Sequence, residues 1–233
     1  MNKLLAAALI ILGTFCSQNI YGQLFDQRNN LSVGFNGGVN ISSIDFNPKV
    51  EQKGFMGKSF GVTARYNSEK YFKMLCGLQV EINYSQRGWE EKMDENSTDY
   101  YKRVLNYVEI PLLAHLAFGK DAYDKGLQFF INLGPSIAFL ISEKKDMTPG
   151  LDSSNRPNSS FVVYNVIADK KFDYGLTGGA GLELSTKIGH FLLEGRYYFG
   201  LSDIYNAGVK DYYSRSANTY FGARMTYLFD LKR

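Results

Sequence analysis

The chain has 233 residues, with 26 basic and 23 acidic side chains and a formal net charge of +3. That balance leaves no footprint for nucleic acid or another polyanion. Its 23 Gly, 17 Tyr and 17 Phe against only 5 Pro favour strands with bends and disfavour a disordered chain. The first segment, MNKLLAAALIILGTFCSQNIYGQ, has an early cation at Lys3, an apolar run from Leu4 to Phe15 and small Gly22 before Gln23. It reads as a secretory signal peptide over 1–22, cleaved after Gly22, with one domain over 23–233. Cys16 offers a lipoprotein alternative, which Phe15 disfavours because lipidation sites want a small residue there. Cleavage leaves Cys76 alone, so the expected exported chain has no internal disulfide.

Eight alternating runs follow, each with one apolar and one small or polar face, as a strand with period 2 requires. Run one sets Leu31, Val33, Phe35, Gly37 and Val39 against Ser32, Gly34, Asn36, Gly38 and Asn40. Run two sets Phe60, Val62, Ala64 and Tyr66 against Ser59, Gly61, Thr63 and Arg65. In run three Cys76, Leu78, Val80, Ile82 and Tyr84 oppose Gly77, Gln79, Glu81, Asn83, Ser85 and Arg87. Run four, the least clean, places Val108, Ile110, Leu112, Ala114 and Leu116 against Tyr107, Glu109, Pro111, Leu113 and His115. Run five spans 131–139 around Asn132, Gly134 and Ser136; run six spans 172–183, with Asp173, Gly175, Thr177, Gly179, Gly181 and Glu183 on its polar side. Run seven has Glu194 and Arg196 opposite Leu193, Tyr197 and Phe199, although Leu192 and Tyr198 share the polar side; run eight has Arg224 and Thr226 opposite Phe221, Met225 and Phe229.

Connections at 67–72, 119–126 and 187–190 are short, whereas 42–56, 88–102, 142–170 and 203–218 are long and polar. This predicts an all-β fold, an eight-stranded antiparallel up-and-down transmembrane β-barrel, with short turns and both termini on the periplasmic side. The sense of the faces separates this barrel from a soluble, lipocalin-like one that buries its apolar side around a ligand. The polar faces hold Arg65, Glu81, Glu109, Asp173, Glu183, Glu194, Arg196 and Arg224 together with most strand glycines. A narrow lumen packed with small residues and paired charges accounts for both. We therefore expect those eight residues to form a structural charge network that plugs the lumen. Tyr66, Tyr84, Tyr107, Phe118, Tyr197, Phe199, Tyr227 and Phe229 lie near run ends, as aromatic girdles would.

Six segments carry a resemblance to a known family: GFNGGVNIS at 34–42, EINYSQRG at 81–88, LNYVEIPLLAHLAF at 105–118, FFINLGPSIAFLI at 129–141, FDYGLTGGAGLEL at 172–184 and LEGRYYFGLSDI at 193–204. Together they resemble the PorT-like, porin-like outer-membrane β-barrel family of Bacteroidota, with NYVEIPLL and INLGPS the most specific. The resemblance implies an eight-stranded barrel in the outer membrane of a Gram-negative bacterium. It implies little chemistry; the member that gives the family its name assists a secretion system.

Candidate sites are few. His115 and His190 are the only histidines, and without a Ser-centred motif neither is expected to be catalytic. No His and Cys spacing suits zinc, no phosphate loop is present, and no cofactor is expected. Glu81 and Glu109, on neighbouring strands, could act as an acid and base pair, but an ion pair with Arg65, Arg196 or Arg224 is the expectation for each. The external stretches 89–102, acidic and aromatic, and 142–170, with Pro149 and Pro157, are the better places for binding; the acidic one lacks the ligand spacing of a calcium loop. The expected function is non-enzymatic: a monomeric structural, binding or secretion-accessory platform. Its expected partners are outer-membrane lipid, the barrel assembly machinery and secretion or envelope proteins. A narrow porin-like channel, a lipocalin-like ligand binder and a membrane enzyme are the alternatives.

Overall fold

The computed structural model describes residues 30–71, 74–91, 99–118, 126–149, 168, 170–205 and 214–232. The signal peptide read over 1–22, with Cys16, lies outside them, as do the core of the acidic stretch at 92–98 and Pro157. Eight strands follow one another: β1 (Asn30–Asn47), β2 (Gln52–Tyr71), β3 (Met74–Glu91), β4 (Tyr101–Phe118), β5 (Gly126–Met147), β6 (Phe172–Ser185), β7 (His190–Asp203) and β8 (Arg215–Lys232). Each pairs antiparallel with the next, and β1 pairs with β8 to close the barrel. Every alternating run falls inside one strand.

The apolar faces point outward. Phe35 is 65% exposed and Leu133 61%, whereas Asn36 is 6% and Arg65 0% exposed. One exposed residue from each strand, such as Phe60 on β2 or Met225 on β8, continues this belt around the wall. That sense is the reverse of a soluble ligand-binding barrel, which hides its apolar side chains within. Exposed apolar surface of this extent is stable only against another apolar phase, here lipid.

The strands outrun the alternating segments, mainly at the loop end. About 10 tilted residues suffice to cross the hydrocarbon, yet β5 has 22. Residues 42–56, expected as a long connection, are mostly strand, leaving only 48–51 between β1 and β2. Trp89, expected in an external loop, belongs to β3 and is fully buried. Tyr107, expected in an aromatic girdle, also turns inward and is 1% exposed. It sits on the same face of β4 as Glu109, and period 2 leaves it no other side.

Lumen glycines mark close backbone approach as well as crowding by side chains. A Cβ on Gly38 would sit 2.2 Å from the Ala223 carbonyl oxygen, and one on Gly179 would meet Glu194 Oε1 at 2.1 Å. The first crowding comes from the neighbouring strand and the second from the charge network itself.

Candidate functional site

The inward faces of the eight strands build one continuous polar column. At its centre Arg196, on β7, donates Nη1 to Glu81 Oε2 at 2.7 Å and Nη2 to Glu81 Oε1 at 2.8 Å, reaching across the lumen to β3. The same guanidinium donates Nε and Nη2 to Glu194, at 3.1 and 2.8 Å. Arg224 of β8 adds a third donor to Glu81 at 2.7 Å, and the amides of Gln79 and Asn83 each donate to it at 2.7 Å. Five donated bonds thus converge on one buried carboxylate, which compensates its loss of water.

Towards the turn end, Arg65 donates to both oxygens of Glu183, at 2.7 and 2.8 Å. Arg65 Nη1 is also 3.1 Å from His115 Nε2, whose other nitrogen is 2.8 Å from Asn132 Oδ1. His190 stands beside this pair, with Nδ1 2.8 Å from Glu183 Oε1 and Nε2 3.1 Å from Asp230 Oδ1. Ser185 Oγ lies 3.0 Å from His190 Nδ1, bringing together the residue types of a hydrolase triad. Both ring nitrogens also face carboxylates, so this imidazole belongs to the buried polar network. The arrangement ties β6, β7 and β8 together. Leu75, Ala117, Phe130, Leu192 and Leu228 form a small apolar layer at this end.

Towards the loop end, Arg87 is the organising residue. It donates Nη1 to Asp173 Oδ2 at 2.8 Å, and its Nη2 lies 3.0 Å from Glu109 Oε2. Its guanidinium carbon is 4.2 Å from the ring centroid of Tyr198, 4.9 Å from that of Tyr220 and 5.0 Å from that of Tyr107. Cation–π attraction in a water-poor site strengthens this enclosure. Tyr220 donates its hydroxyl to Glu109 at 2.9 Å. Above it, Trp89, Phe46, Tyr101, Leu105, Ile204 and Tyr205 belong to an apolar cluster across the mouth. Burial pushes the Tyr205 phenol up, against the opposing pull of Arg103. Arg103 donates to Tyr205 and forms a 2.8 Å ion pair with Glu143 at the rim.

All eight residues expected in the lumen lie on the inner wall and are buried. Glu81 and Glu109 do not share a proton site: Glu81 goes to Arg196 and Arg224, while Glu109 goes to Arg87 rather than to any of the three arginines expected for it. Sequence reasoning passed over Arg87 as a network member, although its parity on run three placed it with Glu81. It also passed over the apolar layers. Their signal was the impurity of the polar faces, since Leu192, Leu228, Tyr107 and Tyr198 break the pattern where those layers and the Arg87 enclosure form. Among the described residues, no group of three or more His, Cys, Asp or Glu side chains is placed to hold a metal ion.

An outward apolar belt around a closed, up-and-down, eight-stranded sheet with a polar interior defines an outer-membrane β-barrel. The chain belongs to the outer membrane protein beta-barrel domain family, whose sequence model matches residues 21–206. Among solved structures, it is similar to OprG from Pseudomonas aeruginosa, at 12% identity over 88% of this chain and 96% of that one, with a TM-score of 0.45. Ail of Yersinia pestis, in complex with the heparin analogue sucrose octasulfate, is 13% identical over 88% of this chain and all of that one, with a TM-score of 0.37. Neisserial surface protein A is 11% identical over 84% of this chain and 96% of that one, with a TM-score of 0.42. A comparison with curated protein sequences returns no match.

Proposed function

We propose that this outer-membrane barrel is a non-enzymatic structural and binding platform, plugged through its lumen and working through its external loops. One observation carries the reading. Arg65, Arg87 and Arg196, at most 1% exposed, span the lumen to carboxylates on other strands, and apolar layers lie towards both ends of that column. A solute path would have to break several buried ion pairs, each costly to open. The charge network of Arg65, Glu81, Glu109, Asp173, Glu183, Glu194, Arg196 and Arg224 is accordingly structural in this reading. Residues 1–22 are a leader removed on export, and the mature barrel of 23–233 is delivered by the assembly machinery to act as a monomer.

The resemblance of NYVEIPLL and INLGPS to the PorT-like family of Bacteroidota points the platform towards protein secretion or envelope integrity. Two strains test this together. Replacing 150–167 by a short Gly-Ser linker, in a barrel that still folds, should reproduce the secretion or envelope defect of a deletion strain, while neither strain changes small-solute uptake. Full complementation by the linker variant, or altered uptake in the deletion strain, would contradict the platform reading.

A further inference from the structure

Lys58 interrupts the apolar outer wall. It is exposed and stands on the outward face of β2 between Met56 and Phe60, which are 70% and 58% exposed. Across the ladder it pairs with Val39 of β1 while Met56 pairs with Ile41, and those two are 50% and 51% exposed. Apolar side chains thus lie on the loop side of Lys58 as well as on its turn side, which sets the cation inside the upper edge of the belt. Among the described residues it has no ion-pair partner; the carboxylates of Glu143 and Asp45 at this end are taken by Arg103 and Arg215. A lysine so placed lifts its ammonium along its own stem to the headgroup layer, where an anion is the partner that offsets its cost.

The neighbouring strands extend the feature. Phe60, Tyr84, Val108 and Phe139 form one row across β2 to β5, with the Phe60 and Tyr84 ring centroids 5.1 Å apart. The next outward positions towards the loop end are Lys58, Gln86, Asn106 and Ser142; Gln86 pairs with Asn106, and Asn106 with Ser142. Gln86 donates Nε2 to Tyr84 Oη at 3.4 Å, and Asn106 donates Nδ2 to Ser142 Oγ at 2.9 Å. No carboxylate stands in this polar row. Two residues beyond Ser142, Lys144 adds a second exposed cation.

We propose that Lys58 anchors a phosphorylated glycolipid of the outer leaflet. Its acyl chains would lie against Phe60, Tyr84, Val108 and Phe139, with a phosphate at the Lys58 ammonium and sugar hydroxyls along Gln86 and Ser142. Three observations select that occupant. The polar row is contiguous with the lipid belt at the end that carries the long connections, so the ligand comes from the outer leaflet. The row holds a cation and no acid, which suits a phosphate without a balancing ammonium. Amide and hydroxyl groups continue from Lys58 over three more strands, about 14 Å at the spacing of a sheet, a width that fits a sugar head better than a single glycerophosphate. The site lies on the outer wall and does not depend on the lumen being closed, so it stands or falls separately from the platform reading.

Native mass spectrometry of the full-length barrel tests the site, after titration in micelles with lipid A, with lipid A stripped of its phosphates, or with phosphatidylglycerol. The expected result is one retained lipid A and about tenfold weaker retention of each of the other two lipids. Lys58→Met should weaken lipid A retention about tenfold, and Lys58→Arg should preserve it. Lys58→Met places an apolar side chain in an apolar belt, so the variant keeps the fold. Lys187→Met, which removes an exposed cation at the turn end, should leave retention unchanged. Equal retention of lipid A and its dephosphorylated form, phosphatidylglycerol held as firmly as lipid A, or retention that Lys58→Met does not change would overturn the proposal.

Discussion

Arg87 illustrates how single residues hold this lumen. Its guanidinium serves Asp173 and Glu109 while three tyrosine rings enclose it. Arg87→Met would strand two buried carboxylates, at a cost of about 3–5 kcal/mol. Urea titration in lipid vesicles should show that loss, and the triple variant R87M/E109Q/D173N should recover most of it. No recovery would mean that the ring contacts, rather than the ion pairs, carry the stability. Arg87→Lys should fall between wild type and Arg87→Met, because an ammonium cannot fork to two carboxylates. Which side each charge faces was legible in the sequence, since period 2 assigns Arg65, Glu81 and Arg224 to the polar face. Which charges meet was not. Arg65 on β2 reaches Glu183 on β6, a pairing set by barrel closure and strand stagger, and nothing along the chain encodes it locally.

The same division between legible and hidden recurs in the strands. Runs of alternation marked the parts of β1 to β8 that cross the hydrocarbon, because there the outer face must be apolar. Beyond the membrane water wets the outer face, the requirement lapses, and strand sequence resembles loop sequence. Near the end of β5, SEKKD is strand in the structure and polar on both faces. Two substitutions on β5 express this difference. Leu133→Arg, at the middle of the belt, should cost about 2–4 kcal/mol of folding free energy, whereas Lys144→Leu, above it, should change stability by less than about 0.5 kcal/mol. The only tryptophan, Trp89, is buried in the mouth and provides the fluorescence reading in vesicles. Equal costs at the two positions would displace the membrane boundary drawn here. Gly38→Val on β1 should weaken the barrel differently, by forcing β1 away from the Ala223 carbonyl. The expected sign is loss of the compact, fast-migrating band of unheated protein on a denaturing gel at lower temperature than wild type.

At the scale of the whole molecule, the barrel consists of an apolar outer wall around a column of ion pairs with an apolar layer towards each end. The wall was legible because it repeats eight times. The layers were not, since no strand contributes more than three residues to either: Leu192 and Leu228 are among those at one end, Trp89 and Tyr101 among those at the other. They become layers only when the strands are brought side by side. The proposed reading, a plugged barrel rather than a pore, is tested most directly by conductance across planar lipid bilayers. Purified wild-type barrel should insert without steady current at moderate voltage. Stable, ohmic openings of uniform size would contradict the plugged lumen.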